Sequence, residues 1–158
     1  MENNQLDSAR GRHGGTLARG VGTEARAVAD QSPTRRALVI DDEEAVRGVL
    51  RRWLARRGWS VTEAANGAEA RAQLERTDVA DAGTSFDLVI CDLRMPTLSG
   101  QELHAWVTEH RPALLDHLVF ASGDVREAQV ADFLQRCGCP VLEKPFEFQA
   151  LEAIIASR

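Results

Sequence analysis

Residues 37–44 read ALVIDDEE, in which four apolar side chains are followed directly by four acidic ones. An uninterrupted apolar run of this length is typical of a strand that is buried on both faces of a sheet. Sheets of that kind are mostly parallel, because the helices that connect parallel strands cover both faces. The stretch therefore predicts the first strand of an α/β domain, with a strongly acidic segment at the end of that strand.

From residue 37 to the end of the chain, short apolar runs alternate with amphipathic segments. The amphipathic segments carry apolar residues at helical spacing and predict helices. Alternating strands and helices favour a parallel sheet with helices on both faces, so we predict one doubly wound α/β domain over residues 36–158. Its predicted strands are 37–40, 59–62, 86–91, 118–121 and 140–142, and its predicted helices are 45–54, 68–74, 103–107, 130–134 and 148–155.

Length and composition exclude several classes of protein. A chain of 158 residues has room for one domain and a tail, since domains commonly hold about 100–200 residues. No apolar run approaches the ~20 residues of a transmembrane helix, and the N-terminus lacks the apolar core of a secretory signal. A net charge of −5 argues against the basic surface of a nucleic-acid-binding protein. We expect a cytoplasmic protein with no membrane segment and no nucleic-acid partner.

The first 35 residues differ in composition from the rest of the chain. Residues 1–36 contain six arginines and four acidic residues, together with many glycines and alanines, and show no sustained apolar period. The segment closes near Ser32-Pro33, a dipeptide typical of loops. We predict a flexible Gly/Arg-rich tail at 1–35. Residues 77–85, TDVADAGTS, have the composition of an exposed loop before the third strand.

The three cysteines form neither a disulfide framework nor a recognisable zinc motif. Cys137 and Cys139 are separated by one residue, whereas the cysteine pairs of zinc sites are commonly separated by about two to four. No second Cys or His pair in the sequence complements them, and Cys91 lies in a predicted strand. We interpret all three as reduced thiols.

Polar and charged residues follow four of the five predicted strands. Asp41 and Asp42 follow the first strand, Asp92 the third, Ser122 the fourth and Lys144 the fifth. In an open parallel sheet, ligands bind beyond the carboxyl ends of the strands. We therefore expect these side chains to converge at one edge of the sheet.

The residue types at this edge suit a metal ion and a phosphoryl group. Clustered carboxylates repel one another unless a cation lies between them, and Mg²⁺ prefers such hard oxygen ligands. A lysine and a hydroxyl would stabilise an incoming phosphoryl group. Taken singly, each residue has an ordinary explanation: Asp41 or Asp42 would cap the first helix, Ser122 would form a turn, and Lys144 would be solvated. Their occurrence in order at four strand ends favours the functional interpretation.

Four motifs resemble, in the same order, those of response-regulator receiver domains. They are LVIDDE at 38–43, LVICDLRMP at 88–96 with Gly100, ASGD at 121–124 and LEKPF at 142–146. The resemblance extends from the first predicted strand to the last predicted helix. It implies a (βα)5 fold of the flavodoxin/receiver type, with a five-stranded parallel sheet in the order 2-1-3-4-5. This strand order comes from the resemblance and not from the periodicity.

The resemblance also implies roles for the residues at the strand ends. Asp92 is expected to be the phosphoacceptor, which takes a phosphoryl group from a phosphohistidine. Lys144 is expected to pair with Asp92 at rest and with a phosphoryl oxygen afterwards. The hydroxyl of Ser122 is expected to donate to the phosphoryl group.

Mg²⁺ is the cofactor that the resemblance implies. Its ligands would be the side chains of Asp42 and Asp92 and the backbone carbonyl of Arg94, with Asp41 helping to hold the ion, partly through water. The peptide bond before Pro145 is expected to be cis, since X-Pro bonds adopt that form at modest cost.

The implied function is that of a phosphoacceptor receiver in a two-component phosphorelay, and not that of a turnover enzyme. The partners would be a sensor histidine kinase or a histidine phosphotransfer protein, and an unidentified downstream protein. The domain would be a monomer or a weak homodimer. The sequence ends after the fifth predicted helix, so we expect no output domain in it. Family members often have an aromatic residue three positions before the lysine, where this chain has Val141.

Other interpretations remain open at this point. A phosphatase of the haloacid-dehalogenase type would need an aspartate where the chain has Arg94, and a flavodoxin-like carrier would bind phosphate where Asp41 and Asp42 would repel it. A receiver retained only as a protein-binding scaffold is a third alternative. A weaker resemblance of residues 13–24 to the end of a histidine-kinase ATP-binding domain leaves a hybrid-kinase fragment open beside a stand-alone regulator.

Overall fold

A computed structural model describes residues 34–76 and 86–158 of the chain. The predicted tail lies outside these residues apart from its last two positions, and so does the predicted loop at 77–85. Both therefore stay predictions. Across the described ranges, no helix combines the length and the apolar character needed to cross a lipid bilayer.

Strands and α-helices alternate along the described residues, as the sequence predicts. The strands are β1 (Arg36–Ile40), β2 (Ser60–Ala64), β3 (Leu88–Asp92), β4 (Leu118–Ser122) and β5 (Val141–Glu143). The helices are α1 (Glu44–Ala55), α2 (Gly67–Arg76), α3 (Gly100–His110), α4 (Ala128–Cys137) and α5 (Phe148–Ala156). A short 3₁₀ helix, Pro112–His117, precedes β4.

The five strands form one parallel sheet in the order β2-β1-β3-β4-β5, which confirms the predicted fold and strand order. β1 lies inside the sheet, with β2 paired on one side of it and β3 on the other. Ile40 is in register with Cys91, and Cys91 with Phe120, so the carboxyl ends of the central strands lie level with one another. The reversal of direction between β1 and β3 opens a crevice at that edge, where ligands bind in sheets of this type.

Successive residues of the central strands enter two different cores, because side chains alternate between the faces of a sheet. On one face, Ile40 and Phe120 pack with residues of α2, α3 and α4. On the other face, Val39 and Val119 pack with residues of α1 and α5. Burial on both faces explains why the strands are continuous apolar runs in the sequence.

The structure differs from the predicted elements at the sheet edge and before β4. β2 begins at Ser60 and not at Trp59, and it continues to Ala64, because it pairs with β1 along a register that ends at Ile40 and Ala64. Trp59 is instead a buried core residue that precedes the strand. The 3₁₀ helix Pro112–His117 is not predicted by the sequence pattern, because six residues are too few to show a helical period.

Candidate functional site

The carboxyl ends of β1, β3 and β4 carry the buried polar side chains of the described residues, namely Asp41, Asp92 and Ser122. Their exposed fractions are 1%, 7% and 1%, respectively. Side chains of this type are seldom buried without partners, because the loss of hydration is costly. Their shared location places three of the sequence-predicted residues at one site.

Lys144, directly after β5, supplies the positive charge of this site. Its Nζ donates to Asp41 Oδ2 at 2.7 Å and to Asp92 Oδ2 at 2.8 Å, and Glu43 Oε1 lies 3.9 Å away. Burial alone would lower the pKa of Lys144, but the hydrogen bonds to the two aspartates outweigh burial and raise the pKa. The lysine is therefore a charged, ion-paired residue, and the ordinary explanation of Lys144 as a solvated side chain is wrong. The peptide bond between Lys144 and Pro145 is cis, as predicted.

Both carboxylate oxygens of Asp41 have hydrogen-bond partners. Oδ1 accepts from the backbone N–H of Glu43 at 2.9 Å, and Oδ2 accepts from Lys144. Burial raises the pKa of Asp41 despite these hydrogen bonds, which act in the opposite direction, and the charge of Asp92 raises it further. The N-cap of α1 is Glu43, which makes no side-chain cap bond. The explanation of Asp41 or Asp42 as a helix cap is therefore wrong.

Asp92 ends β3 and is held from two directions. Its Oδ1 accepts from the backbone N–H of Arg94 at 3.0 Å, and its Oδ2 accepts from Lys144. The first donor lies in the loop after β3 itself, and the second follows β5, the edge strand of the sheet. The carboxylate is therefore fixed beside Lys144 and Asp41.

Three aspartates form a compact group of oxygen donors. Asp41, Asp42 and Asp92 each offer one carboxylate oxygen, and these three oxygens lie within 4.8 Å of one another. Asp42 is exposed, and the other two aspartates are buried. Lys144 neutralises one charge and leaves the group net negative. Hard oxygen donors at this spacing fit Mg²⁺, which takes few protein ligands and completes its shell with water. The backbone N–H of Arg94 contacts Asp92, and the role of the Arg94 carbonyl as a fourth ligand stays a prediction.

Ser122 lies at the end of β4 and is buried. Its Oγ accepts from the backbone N–H of Asp124 at 3.2 Å, so Ser122 does form the turn that is its ordinary explanation. Its backbone carbonyl accepts from the N–H of Lys144 at 2.8 Å. Within the described residues, the hydroxyl hydrogen of Ser122 has no acceptor. The turn contact therefore leaves this hydroxyl available as a donor.

The side chain of Arg94 makes contacts that the sequence does not predict. Its Nε lies 3.2 Å from Asp124 Oδ2, and its Nη2 pairs with Glu127. These two acids belong to the connection between β4 and α4, so the arginine joins the loop after Asp92 to the loop after Ser122. The sequence shows a basic residue two positions after Asp92. It does not show which acids pair with that residue, because they lie about 30 residues further along the chain.

We expect Gly100→Ala to destabilise the protein by about 1–3 kcal/mol, as overpacking commonly does. A Cβ at Gly100 would lie 2.5 Å from the backbone oxygen of Asp92 and 2.9 Å from Leu93 Cα, so the strand end would have to move. Gly48→Ala is the matched control. It lies in α1, and its Cβ would meet only the flexible end of Arg52, at 3.3 Å.

Urea denaturation of both variants measures the effect. Gly48→Ala should be neutral or stabilising by up to about 1 kcal/mol, because alanine is the better helix former. A Gly100→Ala protein as stable as the wild type would contradict the close approach of α3 to the end of β3.

Comparison with known proteins gives one family for this chain. The response regulator receiver domain family matches residues 37–156. The sensor kinase CckA of Brucella abortus is 30% identical over 126 residues, which cover 80% of this chain and 13% of that protein. The first curated relatives are all matched over less than half of their own length.

Solved structures agree with this match. A response regulator receiver protein from Pseudomonas putida superposes with a TM-score of 0.66 at 27% identity, covering 78% of this chain and 97% of that one. The response regulator TrrA from Thermotoga maritima, solved in complex with Mg²⁺-BeF, has a TM-score of 0.63 at 25% identity, with coverage of 78% and 97%. The similarity therefore includes a protein whose structure contains Mg²⁺.

Proposed function

Because the chain belongs to the response regulator receiver domain family of two-component systems, we propose that Asp92 accepts a phosphoryl group from a phosphohistidine. An oxygen of Asp92 attacks phosphorus, the new O–P bond forms as the N–P bond breaks, and the donor imidazole leaves with the electron pair of that bond. The burial of Asp92 beside Lys144 and two further aspartates is the observation that carries this proposal. The charge that the group adds then changes which partner the domain binds.

Lys144 and Ser122 are suited to receive the transferred group. The Lys144 ammonium lies 2.8 Å from Asp92 Oδ2 at rest, so a short movement would bring it to a phosphoryl oxygen. The Ser122 hydroxyl, which keeps its hydrogen free among the described residues, can donate to another phosphoryl oxygen. Charge-assisted hydrogen bonds of this kind are stronger than neutral ones. Movement of Ser122 toward the phosphoryl group would also displace Asp124, whose backbone N–H donates to Ser122 and whose carboxylate pairs with Arg94.

Receiver domains generally bind Mg²⁺ at an acidic pocket, and the cluster of Asp41, Asp42 and Asp92 fits that ion in donor type and spacing. The carbonyl of Arg94 would be the fourth protein ligand. When bound, Mg²⁺ supplies positive charge that stabilises negative charge on phosphoryl oxygens. Asp41 is held by Glu43 and Lys144, so the site is largely ordered before an ion enters.

We do not expect repeated turnover of small phosphate esters. An acid that protonates a leaving group would be needed beside Asp92, and the side chain two positions on is Arg94, whose guanidinium pairs with Asp124 and Glu127. The site therefore provides an acceptor carboxylate and charge stabilisation without a general acid at that position. Slow self-dephosphorylation is compatible with this arrangement.

The partners follow from the class of protein. Receiver domains interact with histidine kinases and with downstream effectors, and one relative is named a sensor kinase. We propose a sensor histidine kinase or a histidine phosphotransfer protein as donor, a protein as target and the cytoplasm as the location. The residues at 13–24 that resemble a hybrid kinase lie outside the described ranges, so that interpretation stays a prediction.

Intact-mass spectrometry after incubation with acetyl phosphate and Mg²⁺ tests the proposal. We expect one phosphoryl group per chain, and we expect no adduct in Asp92→Asn or in the presence of a chelator. Asp132→Asn is the matched control, because it removes an exposed acid of α4 that pairs only locally with Arg136. That variant should be labelled as fully as the wild type.

Two results would contradict the proposal. A full-yield adduct on Asp92→Asn would refute Asp92 as the acceptor. A folded wild-type protein that takes no group from acetyl phosphate or from a phosphorylated histidine donor would favour a scaffold. Release of more than one phosphate per chain from a chromogenic phosphate ester would contradict the absence of turnover.

A further inference from the structure

A second cluster of potential metal ligands lies away from the aspartates. Cys137, Cys139 and His104 each offer one ligand atom, and the three atoms lie within 4.8 Å of one another. All three residues are half-buried. The imidazole comes from α3, and the thiols come from the end of α4 and the turn that leads to β5. Folding thus adds to the two cysteines a histidine that the sequence pattern does not associate with them.

The single residue between the cysteines does not separate the two thiols. That residue is Gly138, the C-cap of α4, with a left-handed φ of 67°. This backbone conformation favours glycine and turns the chain sharply at the helix end. The N–H of Cys139 donates to Cys137 Sγ at 3.4 Å, a contact that stabilises negative charge on that sulfur. The turn therefore holds the pair together at one end of the helix.

His104 is oriented by aromatic neighbours, and its nitrogens remain available. Its ring packs edge-on against Phe133 at a centroid distance of 5.4 Å and lies 6.0 Å from Phe120. Neither ring nitrogen is hydrogen-bonded to another residue in the described ranges. Burial lowers the pKa of His104, which favours the neutral imidazole that a metal ion requires.

The cysteine and histidine ligands favour a different metal ion from the one that the aspartate cluster favours. Thiolate and imidazole are the usual ligands of Zn²⁺ and are poor ligands for Mg²⁺. Zn–S bonds of about 2.3 Å and Zn–N bonds of about 2.0 Å place tetrahedral ligand atoms roughly 3.5–3.8 Å apart. Since the three atoms already lie within 4.8 Å of one another, they would have to approach by at most about 1 Å. Rotation of the two cysteine side chains can supply that movement, while His104 stays between its aromatic neighbours.

We propose that Cys137, Cys139 and His104 form a Zn²⁺ site that joins α3 to the end of α4, with the fourth position open to water. Binding exchanges two thiol protons for the ion, and the two protons are released to solvent. In the free protein, burial raises the pKa of Cys139 to about 12, with a further contribution from Cys137 and an opposing one from Arg158. The Cys139 thiol is therefore protonated until the ion arrives. Cys91, which is fully buried in β3, takes no part.

Cobalt substitution of the full, reduced chain tests this site, with excess Mg²⁺ present to occupy the aspartates. We expect one Co²⁺ per chain, with thiolate-to-cobalt charge-transfer absorption and the strong visible bands of a tetrahedral site, and we expect Zn²⁺ to displace the cobalt. Cys137→Ser and Cys139→Ser should each lose the charge-transfer band. His104→Gln should weaken Zn²⁺ binding by at least about tenfold, the effect commonly seen when metal coordination is disturbed.

His110→Gln is the matched control, since it alters an exposed histidine of the same helix and should leave Zn²⁺ binding unchanged. Cys91 is fully buried and remains in every variant, so loss of the band in a cysteine variant is not caused by a change at Cys91. Absence of a thiolate band in the wild type, an unchanged band in either cysteine variant, or one ion shared by two chains would overturn the proposal. The phosphorylation assay with Asp92 is independent, so failure of one proposal does not entail failure of the other.

Discussion

Phe120→Ala is expected to lower the free energy of unfolding by about 3–5 kcal/mol, the usual loss for removing a buried aromatic ring. Phe120 is fully buried in β4, beside the central strand β3, and is among the largest fully buried side chains of the described residues. Its ring meets Phe133 edge-on at a centroid distance of 5.4 Å and contacts His104 at 6.0 Å. The substitution would leave a cavity between the sheet and helices α3 and α4, which the surrounding structure can only partly close.

Urea denaturation followed by circular dichroism measures this loss. Domains are commonly stable by about 5–15 kcal/mol, so this loss would be a large share of the free energy of unfolding. Phe133→Ala is the matched control, because it deletes the same ring from a partly exposed position of α4. It should cost clearly less than Phe120→Ala. Equal losses at the two positions would show that burial against the sheet is not what makes Phe120 important.

Lys144→Gln is expected to destabilise the protein by about 3 kcal/mol in the absence of divalent ions, because it leaves buried charge without a partner. Asp41 and Asp92 each lose a hydrogen bond shorter than 3 Å to the ammonium. The side chain of Lys144 is only 16% exposed, so solvent can replace little of what is lost. Mg²⁺ should restore much of the stability, since it supplies the missing positive charge to the same carboxylates.

Thermal unfolding with and without Mg²⁺ separates the two parts of this prediction. The rise in Tm on adding Mg²⁺ should be larger for Lys144→Gln than for the wild type. Arg94→Gln makes the same exchange at a cation that is 56% exposed, so its cost should stay below about 1 kcal/mol. If Mg²⁺ stabilised the lysine variant no more than the wild type, the ion and the ammonium would not share the aspartates.

The sequence predicts the sheet and the convergence of the site well, because both depend on local patterns. Apolar runs identify the strands, and parallel strands bring Asp92 and Ser122 to the same edge of the sheet. The family resemblance adds the strand order, which the structure confirms. The assignment of individual roles to Asp92, Ser122 and Lys144 stays a prediction that the geometry supports and the phosphorylation assay tests.

Contacts between residues far apart in sequence are what the pattern does not predict. Arg94 meets Asp124 and Glu127 only because the loops after β3 and β4 are neighbours in the folded sheet. His104 meets the two cysteines because α3 and α4 lie side by side over one face. In both cases the sequence alone shows nothing unusual about the arginine or the histidine, and only tertiary packing brings it to its partners.

Lys144 alone connects the ends of four of the five strands, through its position after β5 and its hydrogen bonds to residues at three other strand ends. It follows β5, its ammonium contacts the aspartates at the ends of β1 and β3, and its backbone N–H donates to Ser122 at the end of β4. A local change of charge at Asp92 therefore reaches every one of those strands within one residue's length. If the Lys144 ammonium moved from these aspartates to a new acceptor, all four strand ends would be affected directly, without a series of packed side chains between them.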